Sequence, residues 1–395
     1  MIATFIFWFI FLVLLYSLAG YGGILFILVR LKRLFGKKTS INVNGHFEPE
    51  VCLFVTAYNE KDYVIQKVEN SFALEYPKEK IQYIWLTDGS DDGTPEILKE
   101  FPQIEVYHQP ERRGKIDAMN RGMRFVKAPF VIFSDTNTLL SPNTIREMIK
   151  SFSDPQVGCV AGEKRITEKA EDSASGAGEG FYWKMESGMK KLDAELNSAV
   201  GGVGELFAIR TELFEPVEAD TILDDFMISL RIAAKGYKID YTSVAWAEET
   251  ASLNVGEELK RKSRIAAGGI QTLTRLAFLL NPFKYGWLSW QFFSHKVLRW
   301  TVFPFFLFLL LPVNLWLVME NASWTTSTFP TLLLWTQGFC YILAFLGWIF
   351  ESRKIRMKFF FLPYYFVAIN YASIIGIIRY CRGHQKVTWE KSKRA

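Results

Sequence analysis

Long apolar stretches at both ends of the chain constrain its fold more than any other sequence feature. Residues 2–29 are almost continuously apolar, and most of residues 300–379 are apolar as well. At a rise of about 1.5 Å per residue, residues 2–29 are long enough to cross a hydrocarbon core of about 30 Å as a helix. The residues between the two stretches mix charged and apolar side chains as a soluble domain does. The sequence therefore predicts a soluble domain that is tethered to a bilayer at both ends.

Basic residues indicate on which side of the membrane this domain lies. Those that directly follow the first apolar stretch are Arg30, Lys32, Arg33, Lys37 and Lys38. A cleaved signal peptide would carry its positive charge before the apolar part, so we expect an uncleaved anchor over residues 1–30. By the positive-inside rule the amino terminus lies outside and the domain is cytoplasmic, in a multi-pass protein of the plasma (inner) membrane. Residues 31–50 are expected to be a linker.

The carboxyl-terminal region leaves its topology open. Residues 272–299 are aromatic with scattered cations, which is typical of a membrane interface. Residues 300–379 hold two predicted spans and a third apolar segment that contains Pro363 and Asn370. If that segment crossed the membrane fully, the basic tail at 380–395 would lie outside, against the positive-inside rule. Either it is a hairpin or re-entrant segment, or residues 283–299 also cross.

Charge and composition exclude several classes of function. The net charge of +5 is modest, and many cations sit beside the apolar segments, so no nucleic-acid partner is expected. The four cysteines lack metal-type spacing and a disulfide framework. Cys52 and Cys159 fall in predicted buried strands, where cysteine is a small core residue. The four histidines are isolated in the sequence, so a histidine-based metal site is not expected.

Residues 51–271 alternate between short apolar runs and helical patterns. Strands are predicted at 51–56, 81–87, 104–108 and 130–135, each followed by a loop and a helix. This alternation predicts an α/β domain with a Rossmann-like, mostly parallel sheet between helices. Ser141 before Pro142 predicts the start of the helix after the fourth strand.

The later part of the domain is less regular. We expect a strand at 157–162, a mobile loop at 165–180 and a helix at 181–196, followed by helices beginning near 224 and 258. The glycines of residues 174–180 imitate a dinucleotide-binding fingerprint, but no strand precedes them, so that interpretation is rejected.

Charged side chains follow several of the predicted strands. Asp88 follows the second strand, Lys115 the third and Asp135 the fourth, so all three lie at one edge of a parallel sheet, where such folds bind ligands. Asp135 and Asn137 both offer oxygen atoms, which hard cations prefer. A phosphate-bearing ligand with a metal would suit this edge. The alternatives are turn residues at Asp88 and Asp135 and a solvated lysine at Lys115.

Two later groups have both a functional and a structural interpretation. Asp224 and Asp225 precede a helix and either cap it or supply a general base. Arg261 and Arg264 share a helix face that could hold a diphosphate or rest on anionic lipid.

The order of the motifs resembles that of family-2 membrane glycosyltransferases, the synthases of cellulose, chitin, hyaluronan and poly-N-acetylglucosamine and their non-processive relatives. The resemblance covers about residues 50–270 and extends to the flanking spans. The motifs that carry it are VTAYNE, LTDGSDDGT, GKIDAMNRG, FSDTNT, GELFAIR, LDDFMISLRI and RKSRIAAGG. It implies a GT-A fold and a nucleotide-diphosphate sugar, usually a UDP-sugar, used with Mg²⁺ or Mn²⁺.

The resemblance also implies roles for individual residues. Those that look donor-binding are Ala57, Tyr58, Glu60, Asp88, Lys115, Asp135, Arg261 and Arg264. Gly204 and Glu205 look like part of the acceptor loop, and Asp225, with Asp224 beside it, looks like the inverting general base. Asp135 and Asn137 stand at the metal motif, where Asn137 replaces the usual second acid and brings no charge. Ile265 replaces a tryptophan that relatives place beside the acceptor sugar.

We therefore expect an inverting, metal-dependent glycosyltransferase that acts at the membrane. Its partners would be a nucleotide-sugar donor, a polysaccharide or lipid-linked acceptor and the lipid bilayer, with the oligomeric state left open. Two alternatives remain. The enzyme could add a single sugar to a lipid-linked acceptor, which the missing tryptophan favours. The chain could also be a catalytically silent membrane subunit that binds nucleotide or a partner synthase, which only Asn137 supports.

Overall fold

The α/β domain is built on one eight-stranded sheet. A computed structural model describes residues 1–35, 47–167, 174–320, 328–353 and 358–383. The strands are β1 (Val51–Ala57), β2 (Ile81–Asp88), β3 (Ile104–Gln109), β4 (Phe130–Asp135), β5 (Leu139–Leu140), β6 (Val157–Ile166), β7 (Leu206–Arg210) and β8 (Lys238–Glu249). Their spatial order is β3-β2-β1-β4-β7-β6-β8-β5.

The sheet is parallel in one half and mixed in the other. Strands β3, β2, β1 and β4 are parallel neighbours, as the strand–helix alternation predicts. Strand β7 runs antiparallel to both β4 and β6, whereas β6 and β8 are parallel. The alternation is lost after β4 in the sequence, and the parallel arrangement is lost at the same point. The carboxyl ends of β1, β2 and β4 therefore share one edge, as expected.

Helices cover the sheet and flank the domain. They are α1 (Ile2–Phe35), α2 (Lys61–Phe72), α3 (Thr94–Lys99), α4 (Lys115–Gly122), α5 (Thr144–Ser151), α6 (Ala174–Leu196), α7 (Asp224–Ala234), α8 (Val255–Arg275), α9 (Pro282–Tyr285), α10 (Trp287–Glu320), α11 (Phe329–Ser352) and α12 (Lys358–Cys381). Apolar clusters pack on both faces of the sheet. Cys52 and Cys159 are fully buried there, which confirms them as core residues.

Two local predictions are wrong. Helix α6 begins at Ala174, so residues 174–180 are helical rather than a loop, while residues 168–173 lie outside the described part of the chain. Helix α5 begins at Thr144, after Ser141 and Pro142. The Ser141 hydroxyl is instead hydrogen-bonded to the Thr144 hydroxyl at 2.7 Å and accepts the Trp246 N–H of β8 at 3.2 Å. Contact with a distant strand therefore outweighs the local start signal.

Four helices, α1, α10, α11 and α12, are long and apolar enough to cross a membrane. Helix α10 begins at Trp287, so residues 287–299 continue directly into the predicted span, through a π-helical stretch at Phe292–Val302. Helix α12 packs along α8, where the Tyr365 hydroxyl donates to Glu258 at 3.2 Å. The basic residues 384–395, whose side of the membrane the sequence leaves open, lie outside the described residues.

A buried polar network ties α1, α6 and α10 together. Asp193 of α6 accepts from the Tyr21 hydroxyl of α1 and lies 2.5 Å from His295 Nδ1 of α10. Glu186 of α6 pairs with Lys296 and Arg299 of α10 at 2.5 and 3.2 Å. Polar groups in apolar helices are stable when they pair in this way. The network fixes α6 between the membrane helices and the sheet.

Candidate active site

A cavity opens at the shared edge of β1, β2 and β4, and we call it the donor cavity after the role that the sequence predicts for the residues lining it. The sequence-predicted residues that line it are Ala57, Tyr58, Glu60, Asp88, Lys115, Asp135, Asn137, Asp224 and Arg264. The fold thus brings together side chains that are distant in the sequence, in the arrangement expected from the strand ends.

Asp88 holds the backbone of the loop before α4. Its carboxylate accepts the Arg113 N–H at 3.1 Å and the Gly114 N–H at 2.6 Å. Gly114 has a φ of 102°, which favours glycine. Asp88 thereby places Lys115 at the first position of α4, facing the cavity.

Arg112 also lines the donor cavity and was not singled out from the sequence. Its guanidinium lies 3.8 Å from the centre of the Tyr58 ring, in a cation–π arrangement. Gly89 makes room for it, because a Cβ there would lie 2.6 Å from the Arg112 Cβ. The two stacked planar groups offer a surface on which a planar base could lie.

Lys115 joins two carboxylates in the donor cavity. Its Nζ lies 2.9 Å from Asp135 Oδ1 and 2.9 Å from Asp224 Oδ2. Burial alone would lower the pKa of Lys115, but these carboxylates raise it above its usual value. Burial raises the pKa of Asp135, and the Lys115 ammonium opposes that shift. Lys115 is therefore a fixed positive charge in the site.

A second, larger cavity of about 1690 Å³ lies beside the first, and we call it the acceptor cavity after the role that the sequence predicts for Gly204 and Glu205. Lys115, Asp135, Asp224 and Arg264 line both cavities, so the two meet at these side chains. Asp225, Gly204 and Glu205 line the acceptor cavity. The predicted donor-binding residues line the donor cavity, except for Arg261, which lines the acceptor cavity together with the predicted acceptor residues Gly204 and Glu205.

Asp225 is held against the glycine-rich residues 201–204. A Cβ on Gly204 would lie only 3.7 and 3.8 Å from the two Asp225 carboxylate oxygens. The Ser229 hydroxyl donates a hydrogen bond to the Asp225 carbonyl at 2.5 Å and accepts one from the Gly202 N–H at 2.8 Å. Burial, followed by the Asp224 charge, raises the pKa of Asp225 to about 6. A carboxyl with this pKa is suited to accept a proton near neutral pH.

Lys190 of α6 is a second site residue that sequence reasoning missed. It is 5% exposed, lines the acceptor cavity and donates to the Gly202 carbonyl at 2.5 Å. Burial lowers its pKa to about 8, and its charge lowers the pKa of Asp225. It belongs to no motif, and only its position on α6 brings it to the site.

Two residues that are predicted to contact a ligand form ion pairs with neighbouring side chains. Arg261 pairs with Glu258 at 2.9 Å and Glu249 at 3.3 Å, and it lines the acceptor cavity rather than the donor cavity. Glu205 pairs with the buried Lys164 at 2.5 Å. Direct ligand contact by either residue remains a prediction.

Asp135 and Asn137 fit a divalent ion only together with other ligands. The described residues contain no group of three acidic, histidine or cysteine side chains that could hold a metal by itself. Both residues line the donor cavity, however. Mg²⁺ is usually held by one or two carboxylates together with substrate phosphates and water. The donor set is therefore compatible with a metal that arrives with a diphosphate.

Comparisons with known proteins show what the chain is similar to. Residues 52–217 match the family model "Glycosyl transferase family 2". The chain is 30% identical over 264 residues to the poly-beta-1,6-N-acetyl-D-glucosamine synthase of Staphylococcus aureus (strain MSSA476). The aligned part is 64% of this chain and 62% of that protein. The corresponding synthase of Staphylococcus epidermidis is 27% identical over 233 residues, or 57% of this chain and 56% of that protein. The chain thus matches less than two thirds of the length of these relatives.

A solved structure shows the same fold. It is that of the mannosyltransferase PcManGT from Pyrobaculum calidifontis, in complex with GDP-Man and Mn²⁺. The similarity covers 95% of this chain and 100% of that one, with a TM-score of 0.68 and 19% identity. The predicted GT-A fold with flanking membrane helices is thereby confirmed. Residues 52–217 thus match the model of the family-2 glycosyltransferases, and the chain is similar to the poly-beta-1,6-N-acetyl-D-glucosamine synthases.

Proposed function

We propose that the protein is an inverting glycosyltransferase that moves a sugar from a nucleotide-diphosphate donor to an acceptor at the membrane. The observation that carries the proposal is the junction of the two cavities. Lys115, Asp135 and Arg264 border both, whereas Asp225 lies on the acceptor side. A donor and an acceptor bound in the two cavities would meet beside a carboxylate. The names of the relatives make UDP-N-acetylglucosamine the first donor to test.

Asp225 would act as the general base. Its carboxylate accepts the proton of an acceptor hydroxyl while that oxygen attacks the anomeric carbon from the face opposite the nucleotide. A single displacement inverts the configuration, so an α-linked donor gives a β-linked product. Base assistance of this kind contributes on the order of 10²–10⁴-fold to the rate.

Lys115 and Arg264 would stabilise the departing nucleotide diphosphate. Their cationic groups line the junction where negative charge develops as the sugar leaves. Mg²⁺ or Mn²⁺, held by Asp135 and Asn137 with the diphosphate, would supply further neutralising charge. Asp224 holds Lys115 in place through the 2.9 Å contact.

The proposal is that this is a multi-pass plasma-membrane protein whose α/β domain lies in the cytoplasm. Nucleotide sugars are made in the cytoplasm, so the donor would be available there. The basic residues after the apolar part of α1 support this orientation, because they follow the positive-inside rule. Lys32 and Arg33 also bond Glu195 of α6, so the basic end of α1 lies against the catalytic domain.

The test is nucleotide diphosphate release by purified protein in a membrane mimetic. UDP-N-acetylglucosamine and other UDP-, GDP- and dTDP-sugars would be compared with Mg²⁺, Mn²⁺ or a chelator, in the presence of membrane lipid extract. We expect release from one donor, and loss of release with the chelator. No release from any donor would overturn the proposal and favour a silent, nucleotide-binding subunit.

A further inference from the structure

The acceptor cavity extends far beyond the reacting groups. Its volume of about 1690 Å³ exceeds the roughly 300–1,000 Å³ of an ordinary small-molecule site. From the carboxylates of Asp225 and Asp135 it continues between the membrane helices. The apolar side chains that line this far part are Phe11 and Leu14 of α1, Leu307 and Leu310 of α10, Leu333 of α11 and Phe366 of α12.

Several polar side chains in the far part are turned to the protein backbone. The Tyr341 hydroxyl donates to the Leu307 carbonyl at 3.1 Å, and the Thr336 hydroxyl donates to the Leu332 carbonyl at 2.9 Å. Asn370 donates to the Phe366 carbonyl at 2.8 Å. A sugar chain would bring many hydroxyl groups. The Gln337 Oε1 is a buried acceptor without a hydrogen-bond partner among the described residues and could accept from one of these hydroxyls, but leaving the others unpaired is costly. An aliphatic chain has no such requirement.

Cationic side chains also line the acceptor cavity. They are Lys260, Arg261, Lys262, Lys296, Arg299 and Arg379. Glu186 pairs with Lys296 and Arg299, Glu257 pairs with Lys260, and Glu258 pairs with Arg261 and Lys262. Arg379 forms no ion pair with any acid among the described residues. This excess of positive charge suits a phosphate group.

We infer that the acceptor is an anionic lipid embedded in the membrane. Its aliphatic chain lies between α1, α10, α11 and α12, its phosphate lies near Arg379, and its hydroxyl-bearing end reaches Asp225. The inference rests on the proposed function and narrows it to an acceptor that enters from the bilayer. Along α10 the cationic Lys296 and Arg299 come before the apolar Leu307 and Leu310, as the phosphate of such a molecule would come before its aliphatic chain.

The test is transfer of labelled sugar by the full chain in detergent micelles. Membrane lipid extract would be divided by anion exchange into an anionic and a neutral fraction, and products would be partitioned between organic solvent and water. We expect label in the organic phase with the anionic fraction. Equal labelling of the neutral fraction, or label found only in a water-soluble polymer, would overturn the inference while leaving the glycosyltransferase in place. Absence of donor consumption with every fraction would overturn both proposals.

A matched pair of variants tests whether the aliphatic chain of the lipid lies in the apolar part of the cavity. Leu333→Trp fills the apolar part, whereas Leu332→Trp changes the next residue of α11, which is 66% exposed and does not line the cavity. We expect transfer to the lipid to fall by about tenfold or more in Leu333→Trp and to persist in Leu332→Trp. Binding of UDP would report that each variant is folded. Equal transfer by the two variants would contradict this position of the chain.

A second pair of variants tests the position of the phosphate. Arg379 and Arg382 are both exposed, but only Arg379 lines the cavity, so Arg382→Gln is the control for Arg379→Gln. Loss of one charge-assisted hydrogen bond should raise the KM for the anionic lipid about tenfold in Arg379→Gln. An unchanged KM, or the same rise in Arg382→Gln, would exclude Arg379 as the phosphate ligand.

Discussion

The Lys115 ammonium lies 2.9 Å from a carboxylate oxygen of Asp224, the residue directly before the proposed base. The same ammonium lies 2.9 Å from Asp135, so one lysine connects the sheet edge to the first turn of α7. This contact distinguishes the two adjacent acids. Asp224 contacts a cation at the junction, whereas Asp225 lines the acceptor cavity, where the proposed mechanism has it receive a proton.

The first prediction concerns the pH dependence of transfer. Asp225 must be ionised to act as a base, and burial with the Asp224 charge raises its pKa to about 6. The rate at saturating donor should therefore fall as the pH drops through about 6 and level off above it. Initial rates between pH 5 and pH 8 would check this, and a constant rate across that range would argue against a carboxylate base.

Stability should show the opposite effect of the same shift. Because the pKa of Asp225 is raised from 3.8 to about 6 on folding, the folded state binds more protons between these values, and stability decreases as the pH rises through them. Asp225→Asn removes the titrating carboxyl and with it this loss of stability. We expect it to stabilise the protein by on the order of 1–3 kcal/mol at pH 7 and not at pH 4. Thermal unfolding at both pH values measures the difference, and equal shifts would contradict it.

Lys190 should position the loop beside Asp225. Lys190→Met removes the hydrogen bond to the Gly202 carbonyl and a charge that lowers the pKa of Asp225. We expect kcat to fall on the order of tenfold to a hundredfold, because a small displacement of reacting groups is costly. The pH profile should also move to higher pH. Lys191→Met, on the exposed side of α6, is the control, and a fall in kcat without movement of the profile would reduce Lys190 to a structural role.

Asn137 should limit the affinity for metal. The side chain offers one neutral oxygen where a second carboxylate would bring charge, so Asn137→Asp should lower the Mn²⁺ concentration needed for half-maximal activity several-fold. Titration of Mn²⁺ at fixed donor would measure this, with Asn143→Asp, outside the donor cavity, as the control. An equal Mn²⁺ requirement in wild type and Asn137→Asp would place the metal elsewhere.

The donor side of the site could be predicted from the sequence because it follows from strand order. Asp88 and Asp135 each end a parallel strand, and the carboxyl ends of neighbouring parallel strands must share an edge. Lys115 comes after β3, the parallel neighbour of β2, so the same rule predicts that it lies at this edge. Arg112 was missed because its position depends on the backbone at Gly89, which no periodicity reports.

The acceptor side could not be predicted in the same way. Lys190 comes from α6 and Arg379 from α12, helices that reach the cavity only through tertiary packing. The contact of α6 with α10 depends on buried pairs such as Glu186 with Lys296. Helical periodicity shows that such residues share a face but does not identify which distant helix that face meets.

The most direct test compares nucleotide diphosphate release by the wild type, Asp225→Asn and Asp224→Asn with the same donor and acceptor. Asp225→Asn should lose about 10²–10⁴-fold in kcat while it still binds UDP, because the carboxamide keeps the shape but cannot accept the proton. Asp224→Asn should instead mainly raise the KM for the donor, through the loss of its contact with Lys115. Wild-type kcat in Asp225→Asn would contradict the assignment of Asp225 as the base.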